Sequence, residues 1–197
     1  MIGLTRTTDA ANELWSTTEV KNHTRIDTSA DDTLVDGYLQ SARQLAEEWT
    51  GRAFVTQTWT MTLDTFPDSG CLIHVPLGRL QSITSIQYVD TNGDTQTLAT
   101  SKYRVSTNSI RGRISEAYGE SWPLTQGVTE AVTIVFVAGY GNAKTDVPMP
   151  IRQAVALITS LLYEHRGDEA FSIHEHDAIC NLLAPYRLLD VGMEVTW

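Results

Sequence analysis

No apolar run in this sequence approaches the roughly 20 residues needed to cross a bilayer, because Asp, Arg, Gln or Thr interrupts every hydrophobic stretch within a few positions. A soluble chain without a membrane partner is expected. Cysteine is scarce: Cys71 and Cys180 are far apart and form no C-x-x-C pair, so both read as small buried hydrophobes without redox chemistry. Bases are also few, 14 against 24 acids for a formal charge of -10, and they are scattered along the sequence. Gripping a phosphate backbone requires clustered Lys and Arg that release counterions, so tight nucleic-acid binding is not expected. The acidity serves solubility or makes a surface past which DNA slides without sticking. The N-terminal "MIGLTRTTDAANELW" has no basic flank ahead of an apolar core of signal-peptide length, which points to synthesis in the cytoplasm. Nucleophile-elbow, phosphate-loop and dinucleotide fingerprints are missing as well.

Ordered helix and strand signals are present instead. Ser16 followed by Glu19 forms a capping box for a short helix near 17–24. Thr28 or Ser29 then offers an N-cap, Asp31 and Asp32 suit a positive first turn, and Gly51 supplies a stop. Between them Leu34, Tyr38, Ala42, Leu45 and Trp49 recur at helical spacing and predict a core face. From Phe54 the period becomes two and the composition rich in Thr, Val, Ile and aromatics, which predicts antiparallel strands over 54–138. Trp59, Leu63, Ile73, Ile86, Tyr88, Ile134 and Phe136 are its candidate core, and Asn92-Gly93 its strongest hairpin signal, read as a two-residue type I′ turn. Pro150 opens a second core helix carrying Ile151, Ala154, Val155, Ile158, Leu161 and Leu162, which ends at Gly167. A third helix ends at Pro185.

The fold class is therefore α+β: a small bundle of three to four helices with an inserted antiparallel β region and an extended C-terminal tail. The expected divisions are 1–53 for the N-terminal helices, 54–138 for the β insertion, 139–185 for the C-terminal helices and 186–197 for the tail. That tail carries Tyr186, Arg187, Leu188, Leu189, Val191, Met193, Val195 and Trp197, unusually apolar for a chain end. Its alternation suits addition to a sheet edge or insertion into a groove of a partner; a strand folded back on its own β region is the other reading. Among the tryptophans Trp49 reads as core, Trp122 before Pro123 as a loop anchor, and Trp197 as the one for a neighbour. His174 and His176, in "IHEHD", are two residues apart, whereas a zinc-binding helix places its histidines at i and i+4. They diverge on a helix, and no third ligand is nominated. No cofactor or metal is expected, and no catalytic pair of acid and base stands out.

Taken in order, "EVKNHTRID", "DDTLVDGYLQSARQLAEEWTGRAF", "VPLGRLQSITSIQYVDTNGDTQTL", "SWP", "VTIVFVAGYG", "VPMPIRQAVALITSLLYEHR" and "LLAPYR" resemble the head-to-tail connector, or adaptor, family of long-tailed bacteriophages and gene transfer agents. The resemblance runs from about Ser16 to Arg187. It implies a structural role without enzyme activity: a homo-oligomeric ring, usually of twelve subunits, in the virion neck. That ring sits under the portal protein, presents a platform to the stopper or tail-completion proteins, and meets DNA only as it passes through the lumen. The helices would make the ring, and the β insertion is similar to a region found in only some members. In such a context the tail from Tyr186 to Trp197 becomes a docking arm for the portal. A head-to-tail ring also joins two different patches of each subunit, for which Asp31, Asp32, Arg43, Arg152 and Arg166 are the candidate pairing groups. The alternatives are a stopper or tail-completion protein of the same neck, and a small metal-dependent enzyme using His174 and His176.

Overall fold

The computed structural model describes residues 2–166 and 172–188. It is an α+β structure in which the chain separates into two compact units. Residues 10–55 and 140–188 form a helical unit, and residues 2–9 and 56–139 a β unit.

In the helical unit the capping box forms as the sequence predicts. The Glu19 amide donates to Ser16 Oγ at 3.3 Å and the Ser16 amide to Glu19 Oε2 at 2.9 Å, opening α1 (Thr17–Thr24). The helix closes on Arg25 in the left-handed region, φ 57°, a conformation that costs a non-glycine residue about 1–2 kcal/mol. Arg25 is exposed. Arg25→Gly is expected to raise stability by about 0.5–1 kcal/mol after the entropy cost of glycine is subtracted; a lower melting temperature would contradict this account of the cap.

Helix α2 (Asp32–Thr50) begins after Asp31, later than the expected caps Thr28 and Ser29, and ends on Gly51 at φ 68° as expected. Its buried face is Val35, Leu39, Ala42, Arg43, Ala46, Glu47 and Thr50, rotated from the expected stripe. Leu34 is exposed, and Tyr38, Leu45 and Trp49 are half-buried flanks. The reason is that Arg43 and Glu47 satisfy one another at i, i+4 and enter the core as a pair, which an apolar periodicity cannot register. Helix α3 (Met149–His165) buries Ile151, Ala154, Val155 and Ile158 against α2. Pro150 lies in its first turn, where a missing amide costs nothing. Helix α4 (Asp177–Leu183) packs on α3 through Ile179 and Leu183, and a 3-10 turn (Ala184–Tyr186) follows.

The β unit contains β1 (Ile2–Thr8), β2 (Gln57–Leu63), β3 (Ile73–Gly78), β4 (Leu80–Val89), β5 (Thr95–Thr97), β6 (Tyr103–Ser106), β7 (Arg111–Glu116) and β8 (Val132–Ala138). A five-stranded sheet runs β1-β2-β8-β4-β5 and a three-stranded sheet β3-β7-β6, with every pair antiparallel. Met61, Ile86, Ile134 and Phe136 are wholly buried. Leu63 and Ile73 are buried with them, while Trp59 and Tyr88 are only half-buried. Strand β1, in a segment the sequence assigns to the N-terminal helices, pairs with β2 from Ile2↔Leu63 to Thr8↔Thr58. It is an edge strand with mostly exposed residues, so it carries little of the alternation that marks a strand.

The β4–β5 connection differs from the expected two-residue turn. Gly93 N–H donates to the Asp90 carbonyl at 3.0 Å and Asp90 N–H to the Asp94 carbonyl at 2.9 Å. Gly93 alone takes a positive φ, 92°, and Asn92 does not. This is the three-residue hairpin, a type I turn closed by a left-handed glycine. Trp122 anchors the long connection after β7 as expected, stacked on Phe66 at 5.0 Å between ring centres. Cys71, expected inside, is exposed because it lies in the turn preceding β3, outside the alternating pattern. Cys180 is half-buried, and both thiols are free.

Candidate functional site

The C-terminal end of α2 and the end of the described chain meet at one place. Four orphan carbonyls close any helix, and here Thr50 O accepts the Leu188 amide at 2.8 Å. The Leu188 side chain lies against Gly51, and Arg52 Nε donates to the Tyr186 carbonyl. The Arg187 guanidinium sits 5.0 Å from the centre of the Trp49 ring, on whose other neighbour, His174, the centroid distance is 6.1 Å. A cation beside a helix C-terminus also complements the helix dipole. Tyr186, Arg187 and Leu188, placed by the sequence in an extended tail, are thus held on the helical unit. The remaining tail residues named from the sequence, Leu189, Val191, Met193, Val195 and Trp197, lie outside the described residues.

Of the five groups nominated for a seam between subunits, Arg43 is a correction. It is wholly buried, its Nε donating to Glu13 Oε2 and its Nη1 to Glu47 Oε2, both at 2.9 Å. Glu47 Oε1 accepts the Phe54 amide at 2.8 Å, so the group ties α2 to the segments on either side of it. A buried guanidinium needs such partners and has no surface to offer a neighbour. Asp31 accepts from Tyr163 Oη at 2.7 Å and from Arg166 Nη2 at 2.9 Å. The Tyr163 hydroxyl first, and then Arg166, hold its carboxyl below the usual range against the opposing effect of burial. Asp32 pairs with Lys21. Arg152 lies with its guanidinium 4.6 Å over Trp15, whose Nε1 donates to the Arg152 carbonyl at 2.8 Å. All five have partners within their own chain. A similar lock binds α1: Lys144 and then Ser16 hold the Glu19 carboxyl down to about 2.

His174 is exposed beside Trp49, and His176 is the residue that precedes α4. Among the described residues no three His, Cys, Asp or Glu side chains are placed to hold a metal ion. The contacts that fix Tyr186 and Arg187, with Arg52 and with Trp49, join residues more than 130 positions apart. Only the Gly51 stop beside a basic residue hinted at them.

Residues 16–108 match the sequence model of the family described as phage gp6-like head-tail connector protein. Over that stretch the chain is similar to that family. Solved structures are similar over nearly the whole chain. One described as "Neck of empty GTA particle computed with C6 symmetry" matches at 25% identity and a TM-score of 0.79, covering 96% of this chain and 97% of the other. One described as "Virion of native gene transfer agent (GTA) particle" matches at 26% identity and 0.78, covering 95% and 96%. A third, "Neck of native GTA particle computed with C12 symmetry", shares the fold at 24% identity and 0.69, covering 93% and 96%. Comparison with curated proteins gives no match.

Proposed function

We propose that this protein is a head-tail connector, the adaptor of a phage-like particle neck: a ring, twelve copies in our reading, that joins the portal protein to the stopper or tail-completion proteins and lets DNA pass. The observation that carries the reading is the extent of the match to a neck subunit, which covers both units of the chain and leaves almost none of either protein unaccounted for. The sixfold symmetry used for that particle is one a ring of twelve satisfies. The helical unit is the ring-forming bundle, and its charges lock its own helices together. Asp32 and Arg166, each about half exposed, keep a side for a neighbouring copy. The role is structural, and the acidic surface favours passage of DNA over retention.

The docking arm of this adaptor begins at Leu189, because Tyr186–Leu188 are fixed at the end of α2. Ordering nine residues costs roughly 1–2 kcal/mol each in backbone entropy, which anchors such as Val191, Met193, Val195 and Trp197 offset when buried on the portal, with avidity around the ring adding to weak single arms. Deleting residues 189–197 is expected to change the melting temperature by less than about 2 °C, since every core residue of the described chain is kept, and to abolish attachment of the protein to portal-bearing heads in a sedimentation assay. A truncated chain that melts much lower yet still attaches would sink the arm. Wild-type protein that does not bind such heads at all would sink the adaptor reading.

A further inference from the structure

The arginines that look scattered in the sequence converge on the three-stranded sheet. Arg113 stands directly opposite His74 on one side and Ser106 on the other, and Arg104 opposite Ser115. Arg111 precedes Arg113 by two positions. Side chains alternate along a strand, so Arg111, Arg113, Ser115, His74, Arg104 and Ser106 share one face. The intervening Gly112 and Ile114 are buried on the other. Burial, then Arg113 and Arg111, push the His74 imidazole below its usual pKa, as expected where cations crowd one surface. Arg104 and Arg113 are exposed and carry no ion pair among the described residues. The single acid of the three strands, Glu116, is on the alternate register and occupied by the amides of Gly70 and Trp122 and the hydroxyl of Ser69.

We propose that this basic face is one half of a contact between copies of this chain, seated on the acid-rich helical unit of the next copy. Charge complementarity selects the occupant. The chain carries a net charge of -10, and in its helical unit Asp27, Asp36, Glu48 and Asp177 are exposed without an ion pair among the described residues. A DNA duplex would meet three arginines embedded in a field of its own sign, too few for strong counterion release. Two basic faces repel, so the contact joins unlike surfaces, the kind that closes into a ring. The inference rests on the ring reading above and gives the β insertion a task within it.

The test is sedimentation of the full chain at millimolar concentration, in salt of about 10 mM, where the screening length is about 30 Å, and of about 1 M, where it is about 3 Å. Association is expected at low salt and absent at high salt. The double substitution Arg104→Glu with Arg113→Glu should weaken low-salt association at least tenfold with an unchanged melting curve. Neutralising Asp27, Asp36, Glu48 and Asp177 to their amides should do the same. Association undiminished in either variant, or absent from the parent at low salt, overturns the proposal. So does a labelled 20-base-pair duplex that binds the parent more tightly than the chain binds itself and is released by the arginine substitutions. An intact self-contact in a protein that fails to attach to heads counts against the adaptor reading alone, and loss of the contact's predicted dependence with attachment intact counts against this proposal alone.

Discussion

Arg43→Ala is expected to remove about 3–5 kcal/mol of stability from the helical unit, the range found when one partner of a buried ion pair is deleted. The guanidinium is fully enclosed and held by Glu13 and Glu47. Truncation takes the Arg43 guanidinium away from the buried Glu47 carboxylate. Total stabilities of domains are about 5–15 kcal/mol, so the variant should unfold at far lower urea concentration. Arg43→Met should lose less, because it keeps most of the volume and spares the cavity. It cannot recover everything while Glu47 still needs to remain ionised or take a proton. Urea titration followed by helical circular dichroism reads the difference. A loss below about 1 kcal/mol for Arg43→Ala would mean that the pair is hydrated and that the buried face of α2 is wrongly described.

Gly112→Val is expected to destabilise the β unit by about 3 kcal/mol. A Cβ at this position would meet Leu80 Cδ2 at 2.2 Å, its Cβ at 2.5 Å and its Cγ at 2.9 Å. Two of those atoms are close to the backbone and cannot swing aside. Leu80 begins β4 directly after Arg79, which takes φ 64° where the chain leaves the three-stranded sheet for the five-stranded one. Gly112, in β7, gives room for that crossing. Gly112→Ala would gain less than about 1 kcal/mol in the unfolded state by restricting the chain, which the overlap outweighs, so it too should be less stable than the parent. Thermal melting of both variants tests this, and an alanine variant as stable as the parent would show that the sheets yield more readily than the geometry allows.

Much of the architecture was legible because its signals are local. The Ser16–Glu19 box, the Gly51 stop and the Pro150 start act through backbone groups within one turn of helix, and each governs the end it marks. Alternation placed the strands of the insertion within a few residues. The same locality explains the misses. A turn at Asn92-Gly93 was evident, but whether one or both residues turn left-handed depends on how β4 and β5 register against each other. Strand β1 has too few apolar positions to declare itself, and β2 supplies the partner that makes it a strand.

By itself the sequence determined the two periodicities, the helix limits, the acidic balance and the family resemblance, all properties of neighbours along the chain. Only the tertiary structure decided that Arg43 goes inside, that Arg104, Arg111 and Arg113 gather with His74 on one sheet face, and that Arg187 and Leu188 are pinned to Trp49 and Thr50. A charge can be buried only if its partners arrive with it, and a row across strands exists only once their register is set. Those conditions are met by packing between segments distant in sequence, where no pattern of adjacent residues carries the information.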